Sequence, residues 1–251
     1  MTTRIPYGED PSQFGDLHLP DGKARGVVVV IHGGFWRDRY DCALGTPLAA
    51  SLAEQGWAAW NLEYRRLGSG GGAPATFDDV AAGIDALAAL APARALDLST
   101  VVTLGHSAGG HLAAWAAARQ RYGWSSRAGI PVTHVISQAG VLDLRAASAD
   151  GLSDDAAAAL LGHRPSEADE RYDPAQQVPL DVPVWCVHGA ADDDVPPSQS
   201  RDYVAAARAA GAEAELVEFA GDHFEVIDPD SAVWQRILSI LEGIRPDGRP
   251  G

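Results

Sequence analysis

The sequence predicts an α/β fold: a mostly parallel, doubly wound sheet with helices on both faces and a small cap-like insertion. Three observations lead there. Short β-branched runs alternate with longer Ala/Leu-rich stretches along the chain, the order that builds parallel strands joined by crossover helices. The run Val27–Ile31 is apolar at five consecutive positions, as in a strand buried on both faces. No internal repeat or linker divides the 251 residues, so 1–251 reads as a single domain.

Each element has its own signal. After the strand at 27–31, residues 44–55 place Leu44, Leu48 and Leu52 at helical spacing and stop at Gly56, which suits the left-handed turn that closes a helix. Residues 57–62 read as the next strand, and the glycine-rich stretch Ser69 to Pro74 as a loop. Thr76 followed by Asp79, ahead of Val80, Ile84, Leu87 and Leu90, predicts a helix opened by a capping box. A strand at 100–104 leads into a helix at 108–121. Further strands are expected at 132–138, 182–187 and 215–219, and helices at 198–210 and 231–244. Residues 144–178 break the alternation; in an α/β domain an insertion of that size commonly lies over the ligand crevice. The tail, 245–251, reads as frayed.

Composition removes several function classes. Nineteen basic against 34 acidic residues give a net charge of −15. Such a chain repels polyphosphates and anionic lipid, so neither nucleic acid nor a membrane is an expected partner. Cys42 and Cys186 are too few for a disulfide framework or a zinc site. Cys186, inside an apolar run, reads as a small buried hydrophobe. The first eleven residues carry no apolar core of signal-peptide length, and no apolar run approaches a bilayer span. A cytoplasmic protein acting on a small molecule, without metal or organic cofactor, is expected.

The chemistry concentrates in four segments. Gly105-His106-Ser107-Ala108-Gly109-Gly110 fits G-x-S-x-G, with an apolar strand before it and an Ala-rich helix after it. A serine there stands on a strained turn, and a side chain at 105 or 109 would collide with a neighbouring element. His32-Gly33-Gly34-Phe35-Trp36 follows the first buried strand; its glycine pair lets backbone amides face a cavity. Acyl transfer needs such donors about 2.7–3.1 Å from the developing oxyanion. The amides of Gly34, Phe35 and Ala108 are the expected donors, with His32 holding the loop.

A serine needs a base, and the base needs an orienter. Of eight histidines, His32, His106 and His188 sit in turns beside glycines, and His111 falls one helical turn after Ser107. His134 lies inside a strand, and His18 and His163 are peripheral. His223 follows the last strand and is the expected base. Three adjacent aspartates follow the strand at 182–187, and the spacing G-x-x-D-x-x-V-P selects Asp192 as the acid. Asp194 is the first alternative and Asp143 a weaker one. The order Ser107, Asp192, His223 is the one this kind of hydrolase uses. Trp36 and Tyr40 beside the expected oxyanion site suit a flat or apolar substrate. Arg65 or Arg66 could meet a substrate carboxylate, although an ion pair with Glu63 or an aspartate is the simpler role.

Over nearly its whole length the chain resembles the α/β-hydrolase superfamily. Within it, His32–Trp36 together with Gly105-His-Ser-Ala-Gly-Gly-His-Leu112 looks like the arylformamidase and small carboxylesterase group, near the hormone-sensitive-lipase-like esterases. The resemblance implies an oxyanion loop at His32–Trp36 and a Ser107–Asp192–His223 triad. It implies hydrolysis of carboxylic esters through an acyl-enzyme, with arylformamidase-like amide cleavage as the alternative. A noncatalytic small-molecule receptor on the same scaffold is the remaining one. Phe35 replaces a glycine that the esterases often carry, which favours the formamidase-like subgroup and leaves the substrate open. The N-terminal cap helices of the lipase-like group are not expected. Because the base must be neutral, activity is expected to climb through about pH 6–7.

Overall fold

The computed structural model describes residues 2–124 and 129–244; the tail expected to fray lies outside them. Eight strands form one sheet: β1 (Thr2–Pro6), β2 (Phe14–His18), β3 (Val27–Ile31), β4 (Ala58–Leu62), β5 (Val101–His106), β6 (His134–Gln138), β7 (Val184–Gly189) and β8 (Ala214–Phe219). Their spatial order is β1-β2-β4-β3-β5-β6-β7-β8. From β4 to β8 neighbouring strands run parallel, and β1 and β2 add an antiparallel edge. The helices are α1 (Thr46–Glu54), α2 (Ala75–Asp85), α3 (Leu87–Arg94), α4 (Ala108–Ala118), α5 (Leu144–Ala149), α6 (Leu152–Leu161), α7 (Ser198–Ala209) and α8 (Ala232–Gly243).

Strand geometry explains the two-sided core. Successive side chains point to opposite faces. Val27, Val29 and Ile31 therefore pack with Phe77 and Val80 of α2, Leu112 and Trp115 of α4, and Tyr203 of α7. Val28 and Val30 pack with Leu48 and Leu52 of α1 and Trp234 and Ile237 of α8. Each such side chain contributes about 1.5–3 kcal/mol by leaving water. The unbroken apolar run of β3 is what two covered faces require.

One element was not expected from the sequence, and two expectations are corrected. The edge hairpin β1–β2 carries little apolar signal, because β1 alternates between exposed and partly buried positions. It is joined instead by cross-strand pairing: Arg4 lies opposite Asp16, with Nε and Nη2 each 2.8 Å from a carboxylate oxygen. The capping box at Thr76 does not form. Pro74 takes the N-cap position of α2, Thr76 Oγ1 donates to Arg65 O, and Asp79 accepts from the Arg65 guanidinium. The long helix expected through Leu90 is also two helices, α2 and α3, meeting at Ala86.

Residues 144–178 form α5, α6 and two short 3-10 turns packed beside α4. Trp115 Nε1 donates to Arg171 O, and His111 Nε2 bonds Tyr172 O. No helix among the described residues is long and apolar enough to cross a membrane.

Candidate active site

Parallel strands end together at one edge of the sheet, and the loops after β3, β5, β7 and β8 meet there. Ser107 follows β5 directly. Its φ of 57° and ψ of −120° form a turn that side chains rarely adopt, at a cost of about 1–3 kcal/mol. The turn is pinned: Ser107 N–H donates to Gln138 O at 2.8 Å. A Cβ at Gly105 would lie 2.0 Å from Gly109 O, and one at Gly109 would lie 2.0 Å from Ile31 O. Both neighbours of the elbow must therefore be glycine, as the sequence pattern implied.

The loop after β3 turns through three consecutive left-handed residues, Gly34 (φ 110°), Phe35 (49°) and Trp36 (56°). Among the described residues nothing accepts from the backbone N–H of Gly34 or Phe35. Ala108 N–H, in the first turn of α4, has no acceptor within its helix. Three amides thus remain free around the serine.

A buried network holds this loop. Tyr64 Oη donates to His32 O at 2.7 Å, and the His32 ring stacks on Tyr64 at 4.4 Å. His32 Nδ1 lies 2.8 Å from Gly33 O and its Nε2 3.1 Å from Glu63 Oε1. Glu63 also accepts from Cys42 N–H and Tyr64 N–H, each at 2.9 Å, and pairs with Arg66 at 3.3 Å. Burial pushes the Glu63 carboxyl up, but the bonds from His32, Cys42 and Tyr64 outweigh it and hold the group below the ordinary glutamate range. A depressed folded pKa contributes stability that is full above the unfolded value and lost as pH falls through the folded one. Glu63→Ala is therefore expected to cost about 3–5 kcal/mol at pH 7. In urea unfolding its gap to the wild type should narrow in acid; a gap that does not depend on pH would refute the account.

The loops after β7 and β8 bring Asp192 and His223 together. His223 Nδ1 is 2.6 Å from Asp192 Oδ2. Asp192 Oδ1 accepts from Asp194 N–H at 3.0 Å and Val195 N–H at 2.8 Å. Burial again acts to raise the acid, and the bonds from His188, His223 and Val195 override it, holding Asp192 far below the ordinary aspartate range. His106 Nε2 lies 2.9 Å from His223 O, and the two rings are 4.5 Å apart. Burial first, then the neighbouring His223, drops His106 to about 3, so it is neutral and its N–H ties down the His223 loop.

Ser107 and His223 line one cavity of about 60 Å³ together with Gly34, Phe35, Tyr40, Leu44, His106, Asp194 and Phe224. Phe224, at 53% exposure, forms its rim. Tyr40 is a wall, as expected, but Trp36 is not. It is 1% exposed, and its ring meets His111 edge-on at 5.1 Å, because the left-handed backbone turns it beneath the loop. Trp36 thus packs the site from below and does not face a ligand. His111, wholly buried and dropped to about 4 by that burial, lies under the site as expected.

The alternatives to Asp192 have other positions. Asp143 caps α5, accepting from Ala146 N–H at 2.8 Å. Asp194, the first alternative, is exposed and lines the cavity. Arg65 is paired with Asp79, and Arg66 with Glu63 and Tyr40 O, so neither guanidinium is left for a ligand carboxylate. His188, read from the sequence only as part of a turn, is in contact with Asp192; its place four residues earlier was the available signal. No residue of 144–178 lines the cavity with Ser107. The insertion reaches the loop after β3 instead through Arg37, whose guanidinium donates to Ser153 O. Among the described residues no group of three or more His, Cys, Asp or Glu side chains could hold a metal ion.

The family model described as BD-FAE matches residues 16–206. Isoprenylcysteine α-carbonyl methylesterase of Arabidopsis thaliana is 27% identical over 239 residues, covering 86% of this chain and 55% of that protein. The chain thus spans about half the length of this curated relative. Among solved structures, esterase B from Lactobacillus rhamnosis, in a tributyrin phosphonate complex, superposes with a TM-score of 0.82 at 26% identity, covering 96% of this chain and 83% of that one. A truncated carbohydrate esterase from gut microbiota gives a TM-score of 0.82 at 23% identity, covering 96% and 94%. Esterase 2 of Thermogutta terrifontis, phosphoramylated by tabun, gives 0.79 at 23%, covering 96% and 92%. The last two likenesses speak to the fold alone, which is that of the α/β-hydrolases.

Proposed function

The chain belongs to the BD-FAE family, and from that premise we propose that it is a serine hydrolase cleaving carboxylic esters of small molecules through an acyl-enzyme on Ser107. The observation that carries this reading is the 2.6 Å bond from His223 Nδ1 to Asp192 Oδ2, with His223 and Ser107 on the wall of one cavity. With Nδ1 committed to the carboxylate, Nε2 is the atom left to take the serine proton. Ser107 Oγ then attacks the ester carbonyl, and the amides of Gly34, Phe35 and Ala108 receive the oxyanion. His223 returns the proton to the leaving alcohol, and water repeats the cycle on the acyl-serine.

The single sheet carries every member of this site, which supports reading the chain as one catalytic domain. Two free, buried cysteines accord with a cytoplasmic location. The small cavity with aromatic walls favours short acyl groups. Its one lining carboxylate, Asp194, disfavours anionic esters.

The test is a panel of p-nitrophenyl acetate, butyrate and hemisuccinate beside an N-formyl anilide, with fluorophosphonate labelling in parallel. Turnover of the neutral esters and labelling at Ser107 are expected. Faster cleavage of the anilide would favour the formamidase alternative, for which Phe35 speaks. Absence of both turnover and labelling would overturn the proposal. Asp194→Asn is expected to raise kcat/KM for the hemisuccinate about three- to tenfold and leave the acetate unchanged.

A further inference from the structure

His188 stands on β7 and is wholly buried. Its Nε2 lies 3.0 Å from Val195 O and 3.1 Å from Asp192 Oδ2. Both oxygens can only accept while Asp192 is ionised, so Nε2 carries the hydrogen and shares it between them. Its Nδ1 lies 2.7 Å from Ser200 Oγ, and Ser200 is also wholly buried. A hydroxyl can donate there, which fixes the tautomer from the far side of the ring.

Four donors therefore surround the Asp192 carboxylate: two backbone amides on Oδ1, and His223 and His188 on Oδ2. A carboxylate has about four lone-pair sites, so none is left over. The same ring also grips Val195 O, the backbone that supplies one of the amides. His188 is thus bound to both ends of the turn that presents the acid.

We propose that His188, oriented by Ser200, is a positioning residue for the reaction. Its shared N–H holds Asp192 in the rotamer that meets His223 Nδ1 and withdraws charge from the oxygen that His223 uses. This rests on the Ser107–Asp192–His223 reading above. Withdrawing charge from Oδ2 weakens its hold on a protonated His223.

The test compares His188→Leu, His188→Gln and Ser200→Ala with the wild type on p-nitrophenyl acetate, as pH profiles of kcat and kcat/KM. His188→Leu keeps bulk without a donor. It is expected to lower kcat about ten- to hundredfold with KM little changed, the range typical of groups that orient a reacting side chain. Its ascending pH limb should move to higher pH. His188→Gln can place an amide N–H where Nε2 stood, and is expected to recover most of the rate and return the limb towards its wild-type position. Ser200→Ala frees the tautomer and should show a smaller loss with a shift in the same direction. The proposal is overturned if the limb stays in place in both His188→Leu and Ser200→Ala, or if His188→Gln is as slow as His188→Leu. Should His188→Leu not fold, the Gln and Ser200→Ala profiles decide alone, an unmoved limb in both counting against it. A wild type that neither turns over ester nor takes a fluorophosphonate would instead remove the triad reading itself.

Discussion

Ser107→Ala is expected to lower kcat by about four to six orders of magnitude, the range seen when the nucleophile of a serine triad is removed. It should also abolish fluorophosphonate labelling while leaving the fold intact. The reason for the intact fold is specific. Among the described residues Ser107 Oγ makes no hydrogen bond, so alanine removes none, and the left-handed backbone is held by neighbours that the substitution does not touch. Thermal unfolding should therefore match the wild type within a few degrees, as for a substitution worth less than about 1 kcal/mol. Residual turnover within tenfold of the wild type would show that the reaction runs elsewhere.

Asp192→Asn is the second large effect, with kcat expected to fall about 10⁴-fold. All four groups facing the carboxylate are donors. An asparagine must turn its NH₂ towards two of them, whichever way it is flipped. Facing His223, it forces the ring to accept at Nδ1 and to keep its proton on Nε2, and the lone pair that should take the serine proton is gone. Facing the Asp194 and Val195 amides, it leaves buried donors without a partner, at about 1–3 kcal/mol. Stability should fall with activity. The wild type should show the matching pH response: a carboxyl held far below its ordinary range contributes stability above the unfolded value, and loses it only as pH falls through the folded one. A variant within tenfold of wild-type kcat would refute this account of the acid, whatever its stability.

The residues around Ser107 were legible because chemistry there is written in local sequence. Gly105 and Gly109 are small because backbone oxygens lie where their Cβ atoms would be, and that demand falls on single positions. His223 and Asp192 were singled out by position, each just past a strand at the edge where parallel strands end, and the structure brings the two together. The edge hairpin β1–β2 was not legible, since a strand with one solvated face and a cross-strand ion pair leaves no apolar run. The capping box at Thr76 fails because its hydroxyl is otherwise engaged: it accepts from Gly72 N–H and donates to Arg65 O, eleven residues earlier.

By itself the sequence determined the layered architecture, the parallel run of its core strands and which residues follow those strands at the edge where they end. These follow from side-chain periodicity and from loops of fixed place between strands. Only the tertiary structure decided that Trp36 packs inward, that Asp194 lines the cavity, and that His106 bonds His223 O while His188 touches Asp192. The physical reason is range. A left-handed run of backbone sets where each ring of the loop points. The bond between His106 and His223 joins groups 117 residues apart, which no local pattern encodes.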